Sequence, residues 1–256
     1  MSAIGIEISE KIMWLTLDRP PVNALSYAVY EELSAAFTRA DANDDVYVTI
    51  IRATGKYFSA GNDLRELSGI IEGDTFPRPY QEVVEEGLTS IIRSSKPVIC
   101  LVQGPATGAG FCIPSYSDIV VATENASFGI AEIQRGVIGG APEASYSLPP
   151  KVVRYMALTG SFITAEEALS YGFVRKVVSE HDLYKEGERI ARRIIANPPL
   201  SIRFMKESLA SIYPPGRIEA LIKDDETWND RALHTEDFSE SVRAFLEKRD
   251  PVYHGR

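Results

Sequence analysis

Two hydrophobic periods alternate along the first two-thirds of this chain. Ile4, Ile6 and Ile8 alternate with smaller or polar positions, and Met13-Trp14-Leu15-Thr16-Leu17 is rich in β-formers. This predicts two strands joined by a turn at Ser9-Glu10-Lys11, with the second strand ended by Asp18-Arg19-Pro20-Pro21. Val29, Leu33, Ala36, Phe37 and Ala40 then recur at helical spacing, and Ser26 is placed to cap that helix. The alternation continues with a β-branched run from Val46 to Arg52 and a helix marked by Tyr80, Val84, Leu88, Ile91 and Ile92. An apolar strand over Val98-Ile99-Cys100-Leu101-Val102 and a short one over Ile119-Val120-Val121-Ala122 follow. Strands alternating with helices predict an α/β fold.

From Thr164 the period is helical. Thr164-Ala165-Glu166-Glu167 reads as a capping box, and Gly172 as the residue just past that helix. Leu183, Ile190 and Ile194 share one face; so do Ile202, Met205 and Leu209, and Phe238, Val242, Phe245 and Leu246. Asn197-Pro198-Pro199 and Tyr213-Pro214-Pro215-Gly216 separate these helices. The pattern divides the chain into a core over residues 1–195 and a helical region over 196–256.

Composition narrows the function. The chain has 256 residues, enough to bury a large core without staples, and a net charge of −9 with no basic stripe, which argues against sequence-independent nucleic-acid binding. Cys100 and Cys112 have no CxxC spacing, and the three histidines are far apart, so neither a disulfide framework nor a His-based metal site is expected. The first ten residues carry no signal-peptide pattern and no apolar run reaches membrane-spanning length, so a cytoplasmic protein without a membrane association is expected.

Two loops carry candidate chemistry. Tyr57-Phe58-Ser59-Ala60-Gly61-Asn62-Asp63-Leu64 and Gly104-Pro105-Ala106-Thr107-Gly108-Ala109-Gly110 each follow a strand. Small residues there let backbone N–H groups approach a ligand, and two converging N–H groups can hold an oxyanion. Either loop taken alone is more often only a tight turn. The second loop does not fit GxGxxG, and no GxxxxGK[ST] occurs, so a nucleotide enzyme is not supported.

Taken together and in order, these segments resemble the crotonase superfamily of enoyl-CoA hydratases and isomerases. The elements are Arg19-Pro20-Pro21-Val22-Asn23-Ala24-Leu25, the two loops, Ser117-Asp118-Ile119, Ala126-Ser127-Phe128-Gly129, Leu158-Thr159-Gly160, Ala165-Glu166-Glu167-Ala168 and Phe245-Leu246-Glu247-Lys248-Arg249. The resemblance implies a spiral of ββα turns with a C-terminal helical region that builds a trimer or dimer of trimers. It implies an acyl-CoA substrate, with coenzyme A entering as part of that substrate and no separate cofactor. The thioester oxygen would sit between the amides of Asn62 and Ala109. Val22, Ala24, Ala60, Asp63, Leu64 and Gly108 would line the substrate, and Phe245 and Lys248 would reach coenzyme A at a neighbouring site. Lys56 and Arg65 are further candidates for its phosphates. Residues 68–79, with Gly69, Gly73, Pro77 and Pro79, read as an irregular, mobile segment beside the acyl group.

The hydratases of this superfamily carry two glutamates. The second matches Glu132, but the first falls on Cys112, whose plainest role is a small buried hydrophobe. Glu143, in Ala141-Pro142-Glu143-Ala144, resembles the glutamate of one isomerase branch; its bland reading is a carboxylate at a helix N-terminus. One carboxylate suffices to move a double bond, so isomerase is favoured slightly over hydratase, with Glu132 ahead of Glu143 as the base. Thioester hydrolysis, decarboxylation or dehydration on the same scaffold, or a non-catalytic binding role, remain the competing readings.

Overall fold

The computed structural model describes residues 2–256, apart from the side chains at positions 71, 72, 245 and 246. It opens on a hairpin, β1 (Ile4–Ser9) against β2 (Ile12–Leu17), closed at Glu10 and Lys11, both at positive φ (49° and 68°). Two left-handed residues match the twist of the strands they join. Strands β3 (Val48–Ala53), β4 (Val98–Val102), β6 (Ile119–Thr123) and β9 (Lys176–Val178) extend the sheet in parallel, in the order β1-β2-β3-β4-β6-β9. β4 is buried at every position, as a strand covered on both faces requires.

One face of this sheet is covered by α1 (Tyr27–Ala42), α3 (Tyr80–Arg93) and α4 (Ala109–Tyr116). The other is covered by α8 (Leu183–Ile195), whose Leu183 and Ala191 pack on Ile50, Ile99, Leu101 and Val121. Ser26 caps α1 through the Val29 N–H, and Thr164 and Glu167 complete the expected capping box on α7 (Ala165–Ser170). A second sheet of three short strands, β5 (Ala106–Thr107), β7 (Ser127–Gly129) and β8 (Ile163–Thr164), stands beside the first.

The expected irregular segment at 68–79 is corrected in its first half. Residues Leu64–Glu72 form α2, capped by Asp63 and ended by Gly73 in the left-handed region. Local capping at both ends holds this helix, although its interior carries Gly69 and few core contacts. After it, Phe76 stacks on Tyr27 with centroids 4.8 Å apart, fastening residues 73–79 to α1.

The remaining helices are α5 (Ala141–Ser147), α6 (Pro150–Thr159), α9 (Pro199–Ile212), α10 (Pro215–Leu233) and α11 (Glu236–Glu247). α10 lies across α5 and α3, turning buried Ile218 and partly buried Ile222, Asp225 and Asn229 inward. Among the described residues, no helix is long and apolar enough to cross a membrane.

Candidate active site

Three loops are tied together by single backbone bridges. Leu25 pairs with Asn62, and Ser59 pairs with Ala106. The Ala60 N–H donates to Val22 O at 3.0 Å and the Leu25 N–H donates to Gly61 O at 2.8 Å. The buried Asn23 side chain locks the first loop, donating to Thr54 O and Tyr57 O and accepting from the Arg19 N–H. Val22 and Ala24, expected beside the substrate, are half-buried on this loop.

Two glycines set the direction of the free amides. Gly61 stands at φ +84°, and a Cβ there would come within 2.8 Å of Thr107 O and 3.3 Å of the Ala109 nitrogen. Gly108 stands at φ 55°, ψ −132°, which a side chain disfavours. These conformations bring the 59–62 and 106–109 backbones together. Among the described residues, the N–H groups of Asn62 and Ala109 find no acceptor, while their neighbours Gly61, Asp63 and Gly108 all donate. Ala109 is the first residue of α4, where an N–H has no intrahelical partner. The Asn62 side chain is fixed by Tyr30, its Oδ1 accepting from the Tyr30 hydroxyl.

Asp63 has a structural task here. It accepts from Arg19 Nη2 at 2.5 Å and from the Arg65 N–H at 3.0 Å. Burial works to raise its carboxyl, and the bonds from Arg19 and the Arg65 amide outweigh that and hold it below the usual range. Ala60 and Gly108 are partly buried, while Leu64 is 65% exposed; Lys56 and Arg65 are exposed on either side of the 57–64 loop. Lys248 is exposed, and the side chain of Phe245 lies outside the described residues.

Glu132 and Glu143 both arrive at the amides' side of the fold. Glu132 opens the 3-10 turn Glu132–Arg135, and a Cβ on Gly108 would come within 2.8 Å of its Oε1. Glu143 comes from the first turn of α5, after Pro142. Oε2 of each is closed off from solvent and has no hydrogen-bond partner among the described residues. Burial pushes each carboxyl from an ordinary 4.5 up to about 7. The charge of Asp225 adds to both rises, and Glu132 adds to that of Glu143. Cys112 lies on the same face of α4 as Tyr116, its Sγ 3.6 Å from Gly108 O. Burial, then Glu143, then Glu132 push its thiol well up, so it stays a neutral thiol, the small buried residue the sequence suggests.

Four further groups face this place and were not singled out from sequence: Tyr30, Tyr80, Tyr116 and Asp225. The hydroxyls of Tyr80 and Tyr116 are buried without a partner. The tyrosines read as ordinary helix-face apolar positions, so periodicity hid them. Asp225 left one signal, an acid at an inward position of the 218, 222, 225, 229 face.

Unpaired buried carboxyls carry a cost that depends on pH. A raised native pKa means the unfolded chain releases its proton first as pH rises. Stability therefore falls between about 4.5 and 7, and the penalty is constant above that window. Glu132→Gln should be more stable than the parent at pH 8, by about 1–3 kcal/mol, with the gain gone near pH 4.5. Thermal melts of both proteins across that range check the sign.

The spiral α/β fold, with two loop amides that find no acceptor among the described residues and two buried carboxylic acids, matches the architecture of a known enzyme class. The sequence profile of the enoyl-CoA hydratase/isomerase family matches residues 7–256, and the chain belongs to that family. A protein of Escherichia coli (strain SMS-3-5 / SECEC) described as carnitinyl-CoA dehydratase is 36% identical over 252 residues, covering 96% of this chain and 95% of the relative. The crystal structure of an enoyl-CoA hydratase/isomerase from Pseudoalteromonas atlantica T6c superposes with a TM-score of 0.88 at 26% identity, over 99% of this chain and 100% of that one. That of a carnitinyl-CoA hydratase from Mycobacterium avium superposes with a TM-score of 0.87 at 32% identity, over 99% of each chain. The crotonase-type fold expected from the sequence is thereby established.

Proposed function

We propose that this chain interconverts a 3-hydroxyacyl-CoA and its 2-enoyl-CoA, with Glu132 and Glu143 as the acid–base pair. The observation that carries this reading is the pair itself: two buried carboxyls with unpartnered oxygens, both raised to about 7, beside two free amides. The thioester oxygen accepts from the N–H groups of Asn62 and Ala109, which stabilise it as negative charge develops. Glu132, packed on Gly108, removes the C2 proton of the hydroxyacyl group. Glu143 protonates the C3 hydroxyl, which leaves as water; hydration runs the same steps in reverse. In this reading Glu143 supplies from α5 the second carboxyl that hydratases of the family carry where Cys112 stands here. The relatives described as carnitinyl-CoA dehydratase and hydratase favour this reaction. Lys56 and Arg65, flanking the 57–64 loop, meet the phosphates of coenzyme A, which enters with the substrate.

Double-bond migration is the second reading, favoured by Cys112: with no carboxylate there, Glu132 alone shuttles a proton between C2 and C4. A panel of 2-enoyl-, 3-enoyl- and 3-hydroxyacyl-CoA thioesters decides between them. Reversible hydration is expected. Migration without hydration moves the conclusion to an isomerase, release of free CoA moves it to thioester hydrolysis, and no turnover removes the enzyme reading.

The chain assembles as a trimer or dimer of trimers. The apolar surface that supports this is on α9, where Leu200, Phe204 and Met205 are 63%, 60% and 59% exposed. Phe238 of α11, by contrast, packs inside its own chain on Gly136. Light scattering should give three or six protomers per particle, and Phe204→Glu should lower that number; a stable monomer of the parent chain overturns the assembly.

A further inference from the structure

We infer that Tyr30 is a positioning residue for the donor at residue 62: its hydroxyl holds the Asn62 side chain and thereby keeps the Asn62 N–H aimed at the thioester oxygen. The inference rests on the acyl-CoA reading of the site and adds to it a residue that acts without touching substrate.

The Asn62 amide takes its direction from a parallel bridge. The Leu25 N–H donates to Gly61 O at 2.8 Å, and Leu25 O accepts from the Asp63 N–H at 2.9 Å. In such a pairing the residue between the two bonds turns its own N–H away from the partner strand, so Asn62 presents its N–H on the side opposite Leu25. A bridge of one residue fixes a point on the loop but resists rotation about the chain only weakly. Gly61, directly before it at φ +84°, adds little torsional resistance.

Side chains supply what the bridge lacks. Asp63 accepts from Arg19, and Glu66 Oε2 accepts from the Tyr27 N–H at 2.7 Å; both bonds fasten the chain after the donor. Among the described residues, the bond from the Tyr30 hydroxyl to Asn62 Oδ1 is the one that grips the side chain of residue 62 itself. Freed from it, an asparagine side chain tends to bond the backbone N–H two residues on, and that turn competes with the bridge that aims the donor.

Tyr30 is built as a rigid post. It is 0% exposed on α1, and a Cβ on Gly87 of α3 would come within 2.8 Å of its carbonyl oxygen and 2.9 Å of its Cβ, so the two helices press together at this residue. Burial, ahead of Tyr80, Cys112 and Glu66, pushes the hydroxyl well up, so it stays protonated and able to donate. A phenylalanine would fill the same space without desolvating an oxygen, so the role of that oxygen lies in its bond to the donor loop.

The test uses Tyr30→Phe, Asn62→Ala and the double variant of the intact protein, with Ala109→Pro as the reference for loss of a donor. Tyr30→Phe should lower kcat about tenfold and change KM by less than about twofold, because developing negative charge needs an aimed donor more than the bound substrate does. Asn62→Ala should lose a similar amount, and the double variant no more than the larger single loss, because all three break one bond. Infrared difference spectra of bound butanoyl-CoA, isotope-labelled at the thioester carbonyl, give a readout free of turnover. In the parent, two donors polarise the carbonyl and lower its stretching frequency below that of the free thioester. Tyr30→Phe and Asn62→Ala should each raise and broaden the band, and Ala109→Pro should raise it as well. Altered packing alone would lower the melting temperature and leave the band in place. Asn62→Ala removes the bond from its half-buried end, so the band stays readable even if Tyr30→Phe does not fold. A raised band in Ala109→Pro beside unmoved bands in Tyr30→Phe and Asn62→Ala, or additive losses in the double variant, overturns the role of Tyr30 and leaves the oxyanion reading standing. Bands unmoved in every variant overturn both.

Discussion

Glu143→Gln is expected to lower dehydration turnover by about 10³-fold while changing acyl-CoA affinity little. The amide keeps the size and polarity of the acid but has no proton to give the departing hydroxyl. Glu132→Gln should lose as much, because the C2 proton then has no acceptor. The two losses should not add: once either step is blocked, the other carboxyl has nothing to complete. Cys112→Ala should be mild, since that thiol is neutral and only fills space. Steady-state rates beside equilibrium binding of a saturated acyl-CoA separate chemistry from recognition. Full activity in Glu143→Gln with a dead Glu132→Gln would leave a single base and favour double-bond migration. Full activity in both would leave only the amides and the CoA site.

Ala109→Pro is expected to cost about a hundredfold in turnover, the effect of removing one oxyanion donor. Proline suits the first position of a helix, where its missing N–H breaks no internal bond, so α4 should keep its place. What disappears is the one donor at 109 that has no protein acceptor. The loss should fall on kcat with KM nearly unchanged, because the developing enolate needs the donor more than the ground-state carbonyl does. A folded variant with parental kcat, shown by an unaltered melt and normal binding, would place the thioester oxygen elsewhere.

The main elements were legible because each rests on short-range physics. The β1–β2 hairpin follows from alternation and a turn, α1 from apolar spacing and the Ser26 cap, and α7 from a capping box whose two bonds are both present. The spiral itself came only through the ordered resemblance, since periodicity predicts elements and leaves their stacking open. α2 escaped notice because Gly69 and Gly73 read as loop residues, whereas Gly73 serves as the left-handed stop of a short helix.

The site divides along the same line. By itself the sequence offered the two small-residue loops as candidates, and the ordered family resemblance added Glu132, Glu143 and the position of Cys112. Local composition sufficed for the loops, because a backbone donor needs small neighbours, whereas the two glutamates stood out only through the resemblance. Tertiary structure alone decided what those groups become. The loop at 59–62 and the turn at 106–109 come together only because Gly61 lets the backbones touch. Two glutamates eleven residues apart become a raised pair only because a 3-10 turn and α5 bury both under α10. Asp225, more than eighty residues beyond either, acts on them through space, and distance through space is what a linear pattern does not encode.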